Sequence, residues 1–354
     1  MSRFISNRFS SFDAYIPGEQ PSDTEYIKLN TNESPFQLPD SITRAVSSET
    51  GKLRLYPNSD GTRLVGKLAK LYEVSPENVM IGNGSDELLA FSFHAFFEKG
   101  VVFPDITYGF YPVYAKLYNV PYKEIPLRDD LSVDVGDYTG IGSNVIIANP
   151  NAPTGIALEI DDVEKIVKGN PGSIIVVDEA YIDFGGKSVV ELTQRYDNLL
   201  VIHTFSKSRS LAGARLGFAI GPAPVIEDLV KMKYSFNPYN VNRLTQIMGE
   251  AAIDEEDYFI EKRREIVETR EYTAKQLKEK GFLFTNSSAN FLFGKHPDIS
   301  GFDFYSKLKD MGILVRQWNK PRISDYVRIT IGTKEQMDVL VTAAEKILAE
   351  MGDI

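Results

Sequence analysis

Short apolar runs rich in Val and Ile stand at 79–81, 101–103, 144–148, 174–177 and 199–203. Runs of that length, bounded by turn-forming residues, read as buried strands. Between them apolar positions recur at helical spacing, as Leu64, Leu68 and Leu71 do within 62–72, and again over 88–97 and 161–167. Strands alternating with helices from 79 to 220 predict an α/β domain whose mostly parallel sheet is flanked by helices. Past Gly221 the pattern changes. Residues 241–280 are rich in Glu, Lys and Arg, with Phe259, Ile266 and Leu277 at helix-compatible positions, which describes helices with a solvated face. Strands at 290–293, 313–316 and 326–331, a helix over 302–311, and a last helix to about 351, opened by Thr333 and Gln336 as a capping box, predict a smaller α+β domain.

The first 35 residues fit neither pattern. Pro17, Gly18, Pro21 and Pro35 break regular structure, yet Phe9, Phe12, Tyr15, Tyr26 and Phe36 are too apolar for a free tail. The chain therefore divides into an arm over 1–35, packed on its own small domain or on a partner subunit, a large domain over 36–245 and a small one over 246–354.

Composition narrows the function. With 354 residues and a formal net charge of −10, the chain is large enough for a substantial core and too acidic to favour a nucleic-acid partner. It has no cysteine, and its three histidines, His94, His203 and His296, lack ligand-like spacing, so no metal site is expected. No apolar run is long enough to cross a bilayer, and residues 1–10 lack the apolar core of a secretory signal, so a cytoplasmic location is expected.

Candidate chemistry collects where strands end, because ligands of parallel sheets bind beyond the carboxyl ends of the strands. The run 199–203 stops at Thr204-Phe205-Ser206-Lys207, delivering a lysine to the mouth of the sheet. The run 174–177 stops at Asp178, a desolvated acid that needs strong donors or a cation. The strand at 79–81 runs into Gly82-Asn83-Gly84-Ser85-Asp86, where a glycine turn and a helix capped by Ser85 leave N–H groups aimed at one anion, with Asp86 turned away from it. No glycine follows three residues after Gly84, which argues against a dinucleotide fold. Tyr108 offers a flat ring, and the proline-stiffened loop 149–155 holds Asn151 in place. A lysine, an acid and a phosphate-ready helix start suit pyridoxal 5′-phosphate, which needs a Schiff-base lysine, an acid against its pyridine nitrogen and an anion site.

The segments Asn149-Pro150-Asn151-Ala152-Pro153-Thr154-Gly155, Asp178-Glu179-Ala180-Tyr181 and Ser206-Lys207 with Arg215 resemble the signatures of fold-type I pyridoxal-phosphate aminotransferases. Within that family, Asn30-Thr31-Asn32-Glu33-Ser34-Pro35, Tyr56-Pro57, Gly82 to Glu87 and Arg328-Ile329-Thr330-Ile331 look like the histidinol-phosphate group. The resemblance covers residues from about 15 onward. It implies that Lys207 binds the cofactor and acts as base, that Asp178 protonates the pyridine nitrogen, and that Tyr181 and Asn151 bond the 3′ oxygen. It further implies that Gly84, Ser85, Asp86, Ser206 and Arg215 form the phosphate site, that Tyr108 stacks on the ring, and that Tyr56 reaches the neighbouring site of a homodimer. Arg328 and Arg316 would take the substrate anion, with Tyr15 and Asn32 closing over the imidazole end. The reaction implied is transamination between histidinol phosphate and 2-oxoglutarate, giving glutamate, in histidine biosynthesis. The same subgroup includes aromatic-amino-acid aminotransferases and threonine-phosphate decarboxylases. Ala152 departs from the family, which often has a second asparagine there, and the stretch from Trp318 to Arg322 matches no specificity feature.

Overall fold

A computed structural model of the chain describes residues 2–6, 9, 14–21 and 26–352, with the backbone alone at 351 and 352. Phe12 of the expected arm lies outside the described residues. In chain order the first elements are β1 (Ile27–Lys28), α1 (Asp40–Glu49), α2 (Thr62–Leu71), β2 (Val79–Asn83), α3 (Ser85–Phe96), β3 (Val101–Pro104), α4 (Phe110–Tyr118) and β4 (Tyr122–Ile125). Next come β5 (Asn144–Ala148), α5 (Ile160–Gly169), β6 (Ile175–Asp178), β7 (Leu199–Thr204), β8 (Leu216–Ile220), α6 (Ala223–Phe236), α7 (Arg243–Asp254) and α8 (Glu256–Lys278). The chain ends with β9 (Leu283–Phe284), β10 (Phe291–Lys295), α9 (Gly301–Asp310), β11 (Ile313–Leu314), β12 (Arg316–Gln317), β13 (Val327–Thr330) and α10 (Lys334–Gly352).

The large sheet has seven strands in the order β2-β8-β7-β6-β5-β3-β4. Strands β3 to β7 run parallel, and β8 enters antiparallel between β7 and β2. Side chains alternate across a strand, so each apolar run supplies two cores. Val145, Ile147, Ile175, Val177, Leu199 and Val201 pack on one face with Leu64 and Leu68 of α2 and Ile166 of α5. Ile146, Val176, Leu200 and Ile202 pack on the other with Leu88 of α3, Tyr111 of α4 and Leu229 of α6. Both faces are covered, which explains why these strands read as unbroken apolar runs rather than alternating ones.

A second sheet, β12-β13-β10-β9, is antiparallel and shares its core with α8, α9 and α10 through Ile266, Phe304, Ile329 and Leu340. Ala252 of α7 and Phe259 of α8 pack in the large core, so that packing continues past residue 246. The Thr333 and Gln336 capping box forms, each backbone N–H donating to the other's side chain at 2.9 and 3.3 Å.

The expected strand 313–316 is divided. Ile313–Leu314 pairs in parallel with β1, whereas Arg316–Gln317 pairs with β13, the chain changing sheets at buried Val315. Through this pairing, the end of the arm is sewn to the small body, with Leu29 N–H donating to Leu314 O at 2.7 Å and Thr330 N–H to Leu29 O at 2.9 Å.

Candidate active site

The carboxyl ends of β5, β6 and β7 open onto a cavity of about 410 Å³. Eight of the expected site residues line it: Ser85, Asp86, Tyr108, Asp178, Tyr181, Ser206, Lys207 and Arg215. Asp178 ends β6 and Lys207 follows three residues after the end of the adjacent parallel strand β7, so both are delivered to the same end of the sheet.

Asp178 is 5% exposed. Its carboxylate accepts from the Tyr111 hydroxyl at 3.0 Å and from the Ala180 N–H at 3.2 Å, and it forms no ion pair among the described residues. Burial pushes its pKa up to about 6, the two donors only partly opposing the shift. An acid held in this way has unmet demand for a cation in front of it. Lys207 lies close by, its Nζ donating to Thr31 O at 3.3 Å and standing 5.7 Å from the centre of the Tyr181 ring. Tyr181 is steadied by an edge contact with Phe291 at 5.2 Å, and its hydroxyl accepts from Asn32 Nδ2 at 2.9 Å.

The anion end is built on the start of α3. Gly84 has φ +77, open to glycine and costly for other residues, and it rather than Ser85 is the N-cap; Ser85 is the first helical residue and makes no capping bond. A Cβ on Gly84 would lie 2.6 Å from Arg215 Nη2, and one on Gly217 only 2.4 Å from Ser85 N, so the crowded turn depends on both glycines. Asp86 does not turn away as expected. Its carboxylate takes Arg215 Nη2 and the Tyr108 hydroxyl, each at 2.8 Å. An acid in the first turn of a helix is favoured by the helix dipole, and Arg215 in the left-handed conformation brings its guanidinium to it.

Asn151 corrects another expectation. Its amide is buried between its own loop and the segment after β3, Nδ2 donating to Ile106 O at 2.9 Å and Thr154 Oγ1 at 3.1 Å while Oδ1 accepts from Thr107 at 2.9 Å. The neighbouring Ala152 lines the cavity instead. Asn32 is likewise not at the cavity surface; it is enclosed behind Tyr181. Tyr56 is 76% exposed and stacks on Tyr239 at 4.4 Å, away from its own chain's cavity.

Arg316 and Arg328 face one another in register across β12 and β13, and both lie over Trp318, 5.6 and 5.2 Å from its ring centre. Neither forms an ion pair among the described residues; they bond only backbone carbonyls, Arg328 that of Asn30 at 3.0 Å and Arg316 those of Pro17 and Ile16 at 3.4 and 3.5 Å. Burial, with Arg316 beside it, holds Arg328 below the usual guanidinium value. Two adjacent guanidiniums without a counter-charge would suit an anion. Tyr15 stacks on Phe110 at 4.0 Å and feels both arginines, its own proton held more tightly by burial.

Sequence reasoning assigned no role to Tyr111, Thr31 or Trp318. Tyr111 could have been suspected from the aromatic cluster Tyr108, Phe110, Tyr111 following a strand end, whereas the Thr31 carbonyl leaves no mark in a sequence.

The sequence profile of class I and II aminotransferases matches residues 24–343. The chain is 48% identical to the histidinol-phosphate aminotransferase of Brachyspira hyodysenteriae, covering 98% of this chain and 99% of that one. It is equally 48% identical to the protein of that description from Marinomonas sp., over 98% and 100% of the two chains. The crystal structure of histidinol-phosphate aminotransferase from Sinorhizobium meliloti in complex with pyridoxal-5′-phosphate superposes with a TM-score of 0.89, covering 99% of each chain at 21% identity, which speaks to the fold alone. Among the described residues no helix is long and apolar enough to cross a membrane, and no group of acids and histidines could hold a metal ion.

Proposed function

Because the chain belongs to the class I and II aminotransferases, and within them to the histidinol-phosphate group, we propose that its cavity moves the amino group of histidinol phosphate to 2-oxoglutarate, giving glutamate. The observation that carries the reading is that Lys207 and Asp178, from the ends of two neighbouring strands, open into one cavity.

Pyridoxal 5′-phosphate is the cofactor of this family, and the residues suit it. The buried carboxylate of Asp178 lacks a cation, which a protonated pyridine nitrogen would supply. The Gly84 turn, which a Cβ would fill, leaves the α3 N–H groups of Ser85 and Asp86, the Ser206 hydroxyl and Arg215 as phosphate donors. When bound, the cofactor offers a carbonyl to the substrate amine and a ring that stores the electron pair released at Cα.

The protein's part is binding, orientation and proton transfer. Asp178 would hold the proton on the pyridine nitrogen, and Lys207 would hold the cofactor and, when free, accept the substrate's Cα proton on Nζ. Tyr181 would donate to the 3′ oxygen, and Tyr108 would offer its ring to the cofactor. Arg328 and Arg316 take the phosphate of histidinol phosphate and then a carboxylate of 2-oxoglutarate, since either anion satisfies the same fork. Tyr15 shields this end from water.

The exposure of Tyr56 supports a homodimer in which it reaches the partner's phosphate site. The packing supports an arm, a large domain whose core includes Ala252 and Phe259, and a small domain, and we assign the enzyme to the cytoplasm. A substrate panel tests the reading: loaded protein should turn over histidinol phosphate with 2-oxoglutarate far better than phenylalanine or O-phosphothreonine. No turnover of the first pair would refute it.

A further inference from the structure

Asn32 is 1% exposed and takes φ +56, a conformation asparagine tolerates better than most residues. Its backbone N–H donates to Thr330 Oγ1 at 3.0 Å, and its carbonyl accepts from Asn290 Nδ2 at 3.1 Å. In its side chain, Oδ1 accepts from Thr330 Oγ1 at 3.0 Å while Nδ2 donates to the Tyr181 hydroxyl oxygen at 2.9 Å. The reverse amide orientation would leave the Thr330 hydroxyl proton without its acceptor, so the small sheet dictates which end of the amide meets Tyr181.

A phenol carries one proton. With its oxygen already accepting from Asn32, Tyr181 keeps that proton for the cavity it lines. Lys207, from the loop after β7, shares that cavity with it, and the other charged or titratable groups that Tyr181 feels are Arg328 of β13, Tyr15 of the arm, and Tyr111 of α4, which holds Asp178. The adjacent wall offers no second donor, because Ala152 presents a methyl group and both N–H bonds of the Asn151 amide go to Ile106 O and Thr154 Oγ1.

We infer that Asn32 is a positioning residue for the amino transfer, orienting the Tyr181 hydroxyl so that its proton goes to the 3′ oxygen of the bound cofactor. This rests on the function proposed above. A donor on that oxygen competes with the proton shared between the oxygen and the Lys207 nitrogen, so it lowers the pH at which the lysine–cofactor link deprotonates. Removing Asn32 raises that pH.

The test uses whole protein loaded with pyridoxal 5′-phosphate, its absorption spectrum titrated against pH in wild type, Asn32→Gly, Tyr181→Phe and the double variant. Glycine keeps the positive φ while deleting the amide. The midpoint should rise by about one pH unit in Asn32→Gly, the size of one hydrogen bond to a charged group, and Asn32→Gly should add nothing in the Tyr181→Phe background. A loaded Asn32→Gly protein with an unchanged midpoint, or an equal shift added on top of Tyr181→Phe, overturns the inference. Should Asn32→Gly not fold, Thr330→Val, which removes the hydroxyl that fixes the amide, carries the same expectation and the same refutation. A general structural role would lower the denaturation temperature without moving the midpoint. Wild type that binds no cofactor would instead overturn the functional reading itself.

Discussion

Replacing Asp178 with asparagine should make the cofactor-free protein more stable at alkaline pH. The ordinary carboxyl value is 3.8, and burial at the end of β6 pushes it up to about 6. Below 3.8 the group is protonated in folded and unfolded chains alike and exacts no penalty. As pH rises from 3.8 to about 6 the unfolded chain ionises freely in water while the folded chain keeps its proton, so stability falls across that window and levels off once the folded group ionises above it. The difference is worth about 3 kcal/mol when fully developed, of which asparagine, a neutral isostere, should recover most. Equilibrium urea unfolding of the two cofactor-free proteins reads this directly: their stabilities should converge below about pH 3.8, separate between there and about pH 6, and stay apart by a constant amount up to about pH 8, the variant ahead. In the presence of cofactor the order should reverse, because the ionised acid is then paired with a cation and binding stabilises the folded state. If the asparagine variant is less stable than wild type in cofactor-free form at pH 8, or if its advantage does not depend on pH, the account of Asp178 as an acid held ready for a cation is wrong.

Two further outcomes bear on substrate and assembly. Arg328→Ala should lower kcat/KM for histidinol phosphate by about 10- to 100-fold, the loss of a hydrogen-bonded charge contact, and steady-state kinetics showing no loss would remove it from the anion site. Tyr56→Ala should weaken activity at limiting cofactor, and mixing it with inactive Lys207→Ala should restore activity, since a heterodimer contains one site with both residues intact; activity no higher than the average of the parents would refute the shared site.

The parts of this site that were legible in the sequence are those fixed by a change of polarity. An apolar run that stops at Asp178, and another that stops just before Lys207, announce both the strand and the group it delivers, because a buried strand between two helical layers has to be apolar until it reaches the mouth of the sheet. The fold class followed from the same alternation. What escaped was anything set by parity or by partners distant in sequence. Asn151 and Ala152 are neighbours in one stiff loop, and only the traced backbone says which faces the cavity. The two-residue strand Ile27–Lys28 is too short to leave a pattern, yet its pairing with Ile313–Leu314 draws the arm onto the small body.

That pairing changes what Asn32 does. Leu29 is bonded to both Leu314 and Thr330, so the next turn of chain places Asn32 between Thr330 of the small sheet and Tyr181 of the large body. Arg328, proposed above to take the substrate anion, lies on the same strand as Thr330, two residues earlier, and bonds Asn30. A shift of β13 on binding an anion at Arg328 would therefore be felt at the Tyr181 hydroxyl through two hydrogen bonds. On this geometry, an anion that moved β13 would couple its own binding to the tuning of the cofactor oxygen.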